Sequence, residues 1–218
     1  MLILKYYSLF LLAFLFSVFQ AHSLCNKCTT SYSIYSAIVA SADNQTICIS
    51  GGSIYSIESN FKNVTVKICA PNILISSVKI NTNAVNNAIE SFADNTIIGN
   101  IVSEADTFAY IAHNIGAKLS GNITINGMSR FQTTNGATLS IENNLVPGKK
   151  IFFEAAESST IKTASITSNS GGQIVIGKHS TFNSTGQIIL QNDGYVLNNG
   201  NLTCNGDFTI QNGGNAIT

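Results

Sequence analysis

The chain has 218 residues, 44% hydrophobic and 10% charged, with eleven basic and eleven acidic side chains and a formal net charge of zero. A typical soluble domain carries about 25% charged residues. A single arginine, Arg130, and no dense basic stretch exclude nucleic acid and anionic membranes as partners, since both need a concentrated positive face.

The first segment has the three parts of an export signal. Lys5 lies near the start, an apolar run extends from Leu9 to Phe19, and Ala21-His22-Ser23 follows as the cleavage region. Gln20 and His22 stop the run short of the about 20 apolar residues that a spanning helix needs. Residues 1–23 are therefore read as a signal peptide, and the mature chain as secreted, with no membrane span of its own.

Residues 24–46 read as a cysteine-containing N-terminal cap. All five cysteines, Cys25, Cys28, Cys48, Cys69 and Cys204, survive processing, and the first four cluster in the N-terminal third. That usage suits disulfides in an oxidising compartment, with one thiol left over. Cys25-x-x-Cys28 is followed by no second such pair and no histidine pair, so no metal or cofactor is expected. Thr30 to Ser41 has a short run of helical spacing, as does Val85 to Ala93.

Residues 47–218 are built of short alternating segments. Ile47-Cys48-Ile49, Val64-Thr65-Val66-Lys67-Ile68, Ile73-Leu74-Ile75, Ile123-Thr124-Ile125, Leu139-Ser140-Ile141, Ile174-Val175-Ile176, Ile188-Ile189-Leu190 and Phe208-Thr209-Ile210 each predict a strand of period two. Between them Asn126-Gly127, Asn135-Gly136, Asp193-Gly194, Asn199-Gly200, Asn205-Gly206 and Asn212-Gly213 predict turns. Such dipeptides mark hairpins, which makes an antiparallel β-sandwich the alternative fold. Against it, glycine followed by an apolar-x-apolar triplet recurs after Gly121, Gly136, Gly172, Gly186, Gly200 and Gly206, and Gly172, Gly186 and Gly200 are fourteen residues apart. This repetition favours an all-β parallel β-helix, or β-solenoid, whose coils stack on one another.

Gly-Asn-Ile-Thr-Ile, Gly-Gly-Gln-Ile-Val-Ile and Gly-Asp-Phe-Thr-Ile give residues 45–218 a texture that resembles secreted parallel β-helix proteins, both adhesin-like surface solenoids and the pectin-lyase-like group. For enzymes of the latter group the resemblance implies Asp pairs and basic clusters acting on polysaccharide. The chain departs from that pattern: it has no Asp-Asp, and Glu104-x-Asp106 is its tightest acidic pair. Stacking could gather Asp193 with Asp207, fourteen residues on. Hydrolysis needs two convergent carboxylates, and elimination needs acidic calcium ligands with a basic residue.

On a β-helix Cys48 and Cys69, twenty-one residues apart, would sit about one coil apart at a separation a disulfide accepts. A Cys48–Cys69 bridge is expected on that ground. Pairings of either with Cys25 or Cys28 stay open, and Cys204 is the odd thiol. Five glycan acceptors of the form Asn-x-Ser/Thr occur, at Asn44, Asn63, Asn122, Asn183 and Asn201. At Asn63, Asn122 and Asn201 the alternation would turn the Asn and its Thr outward together.

Other chemistry is sparse. His113 and His179 stand in no ligand spacing, and neither a Gly-x-Ser-x-Gly elbow nor a phosphate-binding loop is present. Without tryptophan, Tyr32, Tyr35 and Tyr55 are the candidates for a sugar platform. Outward Thr124, Thr167, Thr203 and Thr209 raise ice binding, but they do not repeat at one spacing. The final strand-like segment reaches Ile217-Thr218 without a cap, so either a partner or second copy covers that end, or the natural chain continues. The expectation is a secreted, glycosylated structural or adhesive solenoid of a surface or matrix, without catalytic residues, that binds carbohydrate or a cell-surface or matrix protein. The alternative is a polysaccharide lyase or hydrolase of β-helix type.

Overall fold

The computed structural model describes residues 25–217 apart from 26, 34–36, 41, 53, 60–61, 81–86, 114, 146–148, 169 and 212–213. The expected signal at 1–23 and Tyr35 lie outside the described residues.

Branched residues at every second position give each strand one buried and one outward face. Val64–Ile68, Thr107–His113 and Gly172–Ile176 all alternate in this way. A strand of this length cannot bury its apolar face alone, so successive coils stack. The described residues form three sheets and no helix. Sheet A has ten strands, from Thr30–Tyr32 to Asn215–Ile217; sheet B also has ten, from Ala37–Val39 to Asn201–Cys204; sheet C has three, Ile166–Ser168, Ile188–Leu190 and Phe208–Ile210. The chain runs from A to B, in later coils on to C, and back to A one step along the stack. Every pairing among the described strands is parallel, which makes the protein a β-solenoid and rules out the antiparallel sandwich. The first coil already begins within residues 24–46, because Thr30–Tyr32 lies along Ile47–Ile49.

Coil length varies. It is nineteen residues from Gln45 to Val64, twenty-three from Val64 to Asn87, twenty-one from Phe108 to Ser129 and twenty-two from Ser129 to Ile151. With about seven residues to a side, fourteen residues advance two sides of three. Gly172 accordingly lies in sheet A, Gly186 precedes the sheet C strand Ile188–Leu190, and Gly200 precedes the sheet B strand Asn201–Cys204.

Asn135-Gly136 serves a solenoid corner instead of a hairpin. Both residues have positive φ, 54° and 76°, and turn the chain from sheet A to sheet B. Asn72, Asn95, Glu157 and His179 take left-handed backbone at the same passage in other coils. Asn95 Nδ2 donates to Asn72 Oδ1 at 3.0 Å, tying neighbouring corners together. Gly127 answers a different need: a Cβ there would collide with the Ala105 carbonyl oxygen of the preceding coil.

The core is a column of stacked ranks. In sheet A the inward rank runs Ile47, Val66, Ile89, Tyr110, Phe131, Phe153, Ile174, Val196, in continuous register. None of these side chains is more than 2% exposed. The Phe131 and Phe153 rings stack at 5.4 Å, and Phe182 from sheet B meets Phe153 edge-on at 5.2 Å. The buried Tyr110 hydroxyl shares a 2.7 Å hydrogen bond with Ser91.

Stacking decides two points that local spacing leaves open or misplaces. Within the stretches of helical spacing, Thr30–Tyr32, Ala37–Val39 and Asn87–Ser91 are strands, because stacking on neighbouring coils overrides a weak local preference. The expected Cys48–Cys69 bridge is replaced by Cys25–Cys69 and Cys28–Cys48, with Cα separations of 6.1 and 5.6 Å. The local coil is nineteen residues, so Cys48 pairs laterally with Lys67, and Cys69 lies two residues further on. The N-terminal segment instead reaches both cysteines, and Cys48, at an outward position, is buried to 2%.

Candidate functional site

The outward ranks of sheet A carry a groove of about 680 Å³. It runs along the rank Thr65, Ala88, Ala109, Arg130, Phe152, Gln173, which is in register strand by strand. Alanines on two neighbouring strands leave a hollow between longer side chains. Thr107 and Met128, at the starts of Thr107–His113 and Met128–Thr134, edge the hollow, and Met128 is 39% exposed. Phe152 points outward and is half-buried, whereas Ile151 and Phe153 on either side of it are buried in the core.

Arg130 Nη2 donates to Glu154 Oε2 at 2.5 Å on the groove wall, and both side chains keep substantial exposure. Glu154 is the one carboxylate among the described lining residues. Two carboxylates facing each other across a glycosidic bond are thus not assembled here. Just outside the edge, Lys149 Nζ pairs with Asp106 Oδ1 at 3.3 Å.

The structure separates the acidic pairs. Glu104 and Asp106 flank the buried Ala105 in the turn after Thr96–Ser103, and Asp106 is engaged by Lys149. Asp193 and Asp207 do not stack: Phe208 pairs with Ile188, which sets Asp207 beside Gln187 at the start of the sheet C strands, while Asp193 follows their far end. Among the described residues no group of three or more His, Cys, Asp or Glu could hold a metal ion.

His113 lies on the outward face of sheet A near the corner. Its ring stacks on Phe92 at 4.6 Å, Nδ1 is 3.1 Å from Thr134 Oγ1, and Nε2 is 4.0 Å from Glu90 Oε2. Burial, opposed in part by Glu90, holds its pKa below the usual value. His179 forms a left-handed corner.

The asparagines of the five Asn-x-Ser/Thr motifs fall on outward positions. Asn44, Asn122 and Asn201 are exposed, and Asn63 and Asn183 are half-buried. Val64, Ile123 and Ile125 beside them are buried, as the alternation requires. Asn63 donates to Asp43 Oδ1 from its backbone N–H at 2.9 Å and from Nδ2 at 3.0 Å. Asn183 lies between Lys162 and Thr203, with Oδ1 buried.

Tyr32 packs against the core, and the Tyr55 side chain is outside the description. Thr124, Thr167, Thr203 and Thr209 form no rank: Thr124 lies beside Val102, Thr203 beside Asn183, and Ile189 separates Thr167 from Thr209. A threonine rank occurs elsewhere, at Thr138, Thr160 and Thr181. On the last described coil, Phe208 is in register with buried Ile188 yet 40% exposed, and the half-buried Cys204 thiol donates to the Gly186 carbonyl at 3.2 Å.

The groove escaped sequence reasoning because its members are a coil apart. Phe152 follows Arg130 by twenty-two residues and Glu154 by twenty-four, so one coil plus two residues is the signal that would have joined them. Among the described residues no helix is long and apolar enough to cross a membrane. Comparison of the chain with protein-family models, with curated proteins and with solved structures gives no match.

Proposed function

We propose that the protein is a secreted, glycosylated structural or adhesive component of a surface or matrix, which binds through its outer walls without transforming what it binds. The observation that carries this reading is the sheet A groove, open along the stack, whose carboxylate is already engaged by Arg130. The signal-like leader, the two disulfides and the outward acceptor positions support the compartment. Carbohydrate or a cell-surface or matrix protein is the partner class.

The second reading, a polysaccharide lyase or hydrolase, draws on the same groove and would have to work with Glu154 and Arg130. Glycan-array binding of the purified secreted protein, with reducing-end release from the same polysaccharides followed in parallel, separates the two. Binding without release is the expected result. Release of reducing ends or of unsaturated products supports the enzyme.

A further inference from the structure

The ligand class of the groove follows from its length, charge and surface chemistry, and this step rests on the adhesive reading above. We infer that the groove takes a linear, uncharged glycan laid along the stacking axis. Its lining spans six sheet A strands, from Thr65 to Val175. Parallel strands about 4.8 Å apart put the two ends about 24 Å from each other, the reach of an oligosaccharide instead of a single sugar.

Charge selects the kind of chain. Arg130 and Glu154 cancel within 2.5 Å, and every other described lining residue is neutral. A polyanion would find the one cation of the lining already engaged and a carboxylate beside it. An uncharged chain meets neither obstacle.

The surface is amphipathic, as a sugar ring is. Ala88, Ala109, Met128 and Phe152 offer apolar contact to the C–H face of a pyranose. Thr65, Gln173 and the outer atoms of the Arg130–Glu154 pair offer donors and acceptors to its hydroxyls. The strands repeat along the same axis as the sugars, so the contacts recur along the chain. No bond is made or broken.

The test is calorimetric titration of the whole secreted protein with cellohexaose, laminarihexaose, chitohexaose and mannohexaose, and with a galacturonate hexamer as the anionic counterpart. Two outward substitutions probe the groove: Ala109→Phe fills the hollow and Phe152→Ala removes the aromatic wall. Thr160→Phe, on sheet B, controls for added surface bulk. At least one uncharged hexamer binds, Phe152→Ala weakens it about tenfold, Ala109→Phe abolishes binding, and Thr160→Phe leaves it unchanged. If Ala109→Phe alters the thermal melt, Gln173→Ala takes its place, with weakened binding expected. The inference is overturned by tighter binding of the galacturonate hexamer, by hexamer binding that the groove variants do not alter, or by no hexamer binding. Array binding that survives the groove substitutions removes the groove and leaves the adhesive reading standing; an array without any bound glycan removes carbohydrate from both.

Discussion

Arg130 and Glu154 stand twenty-four residues apart in the chain, and their side chains meet at 2.5 Å on the outer face of sheet A. The contact exists because Arg130 is in register with Phe152, one coil on, and Glu154 is the next outward residue after it. Arg130 is 52% exposed, so the pair contributes little to the fold. Arg130→Ala should cost about 0–1 kcal/mol of stability in urea unfolding. A larger loss would mean that the pair holds the coils together.

Phe152 and Phe153 are neighbours with opposite fates. Phe153 belongs to the inward rank at 1% exposure, stacked on Phe131, whereas Phe152 faces outward. Phe153→Ala should cost about 3–5 kcal/mol through lost burial and the cavity left behind. Phe152→Ala should cost under about 1 kcal/mol. Equal losses for the two variants in denaturant titration would contradict the register of this strand.

The disulfides can be mapped directly. Peptide mapping without reduction should recover Cys25 joined to Cys69 and Cys28 joined to Cys48, with Cys204 open to alkylation once the protein is denatured. Replacing Cys25 and Cys69 with serine should lower stability by about 2–5 kcal/mol, given the forty-four-residue separation that the bridge closes. A Cys48–Cys69 peptide would restore the twenty-one-residue coil expected from spacing.

That pairing marks the limit of what the sequence reveals. Strands such as Val64–Ile68 and Ile123–Ile125 were legible because alternation is local, and the recurring glycines pointed to stacking. Contacts between coils depend on coil length, which goes from seventeen to nineteen to twenty-three residues over the first three pairs of sheet A strands. A two-residue error moved Cys69 off Cys48. Reading the fourteen-residue glycine spacing as a stacking period put Asp193 with Asp207, when it measures two sides of a coil. The groove required the true period, so Ala88, Ala109, Arg130 and Phe152 were not legible as one site.

His113 should give stability a pH dependence. Its folded pKa lies below the ordinary 6.5, first because of burial, with Lys67 adding to the shift and Glu90 and Glu157 opposing it. The folded state therefore binds this proton more weakly than the unfolded chain. The stability associated with neutral His113 is complete above the unfolded value and declines as pH falls through 6.5 toward the folded one. In urea titrations at about pH 7.5 and about pH 5, His113→Gln should lose less stability on acidification than the parent. Equal losses would show that His113 titrates alike in both states.

The central claim is that the sheet A groove holds a glycan and leaves it whole. Saturation-transfer NMR on the purified protein mixed with an uncharged hexasaccharide, followed by mass spectrometry of the same sugar after overnight incubation, addresses both halves in one sample. The account predicts saturation of the sugar C–H protons, its loss in Ala109→Phe, and recovery of intact hexasaccharide. Shorter or unsaturated products, or saturation that persists in Ala109→Phe, would contradict it.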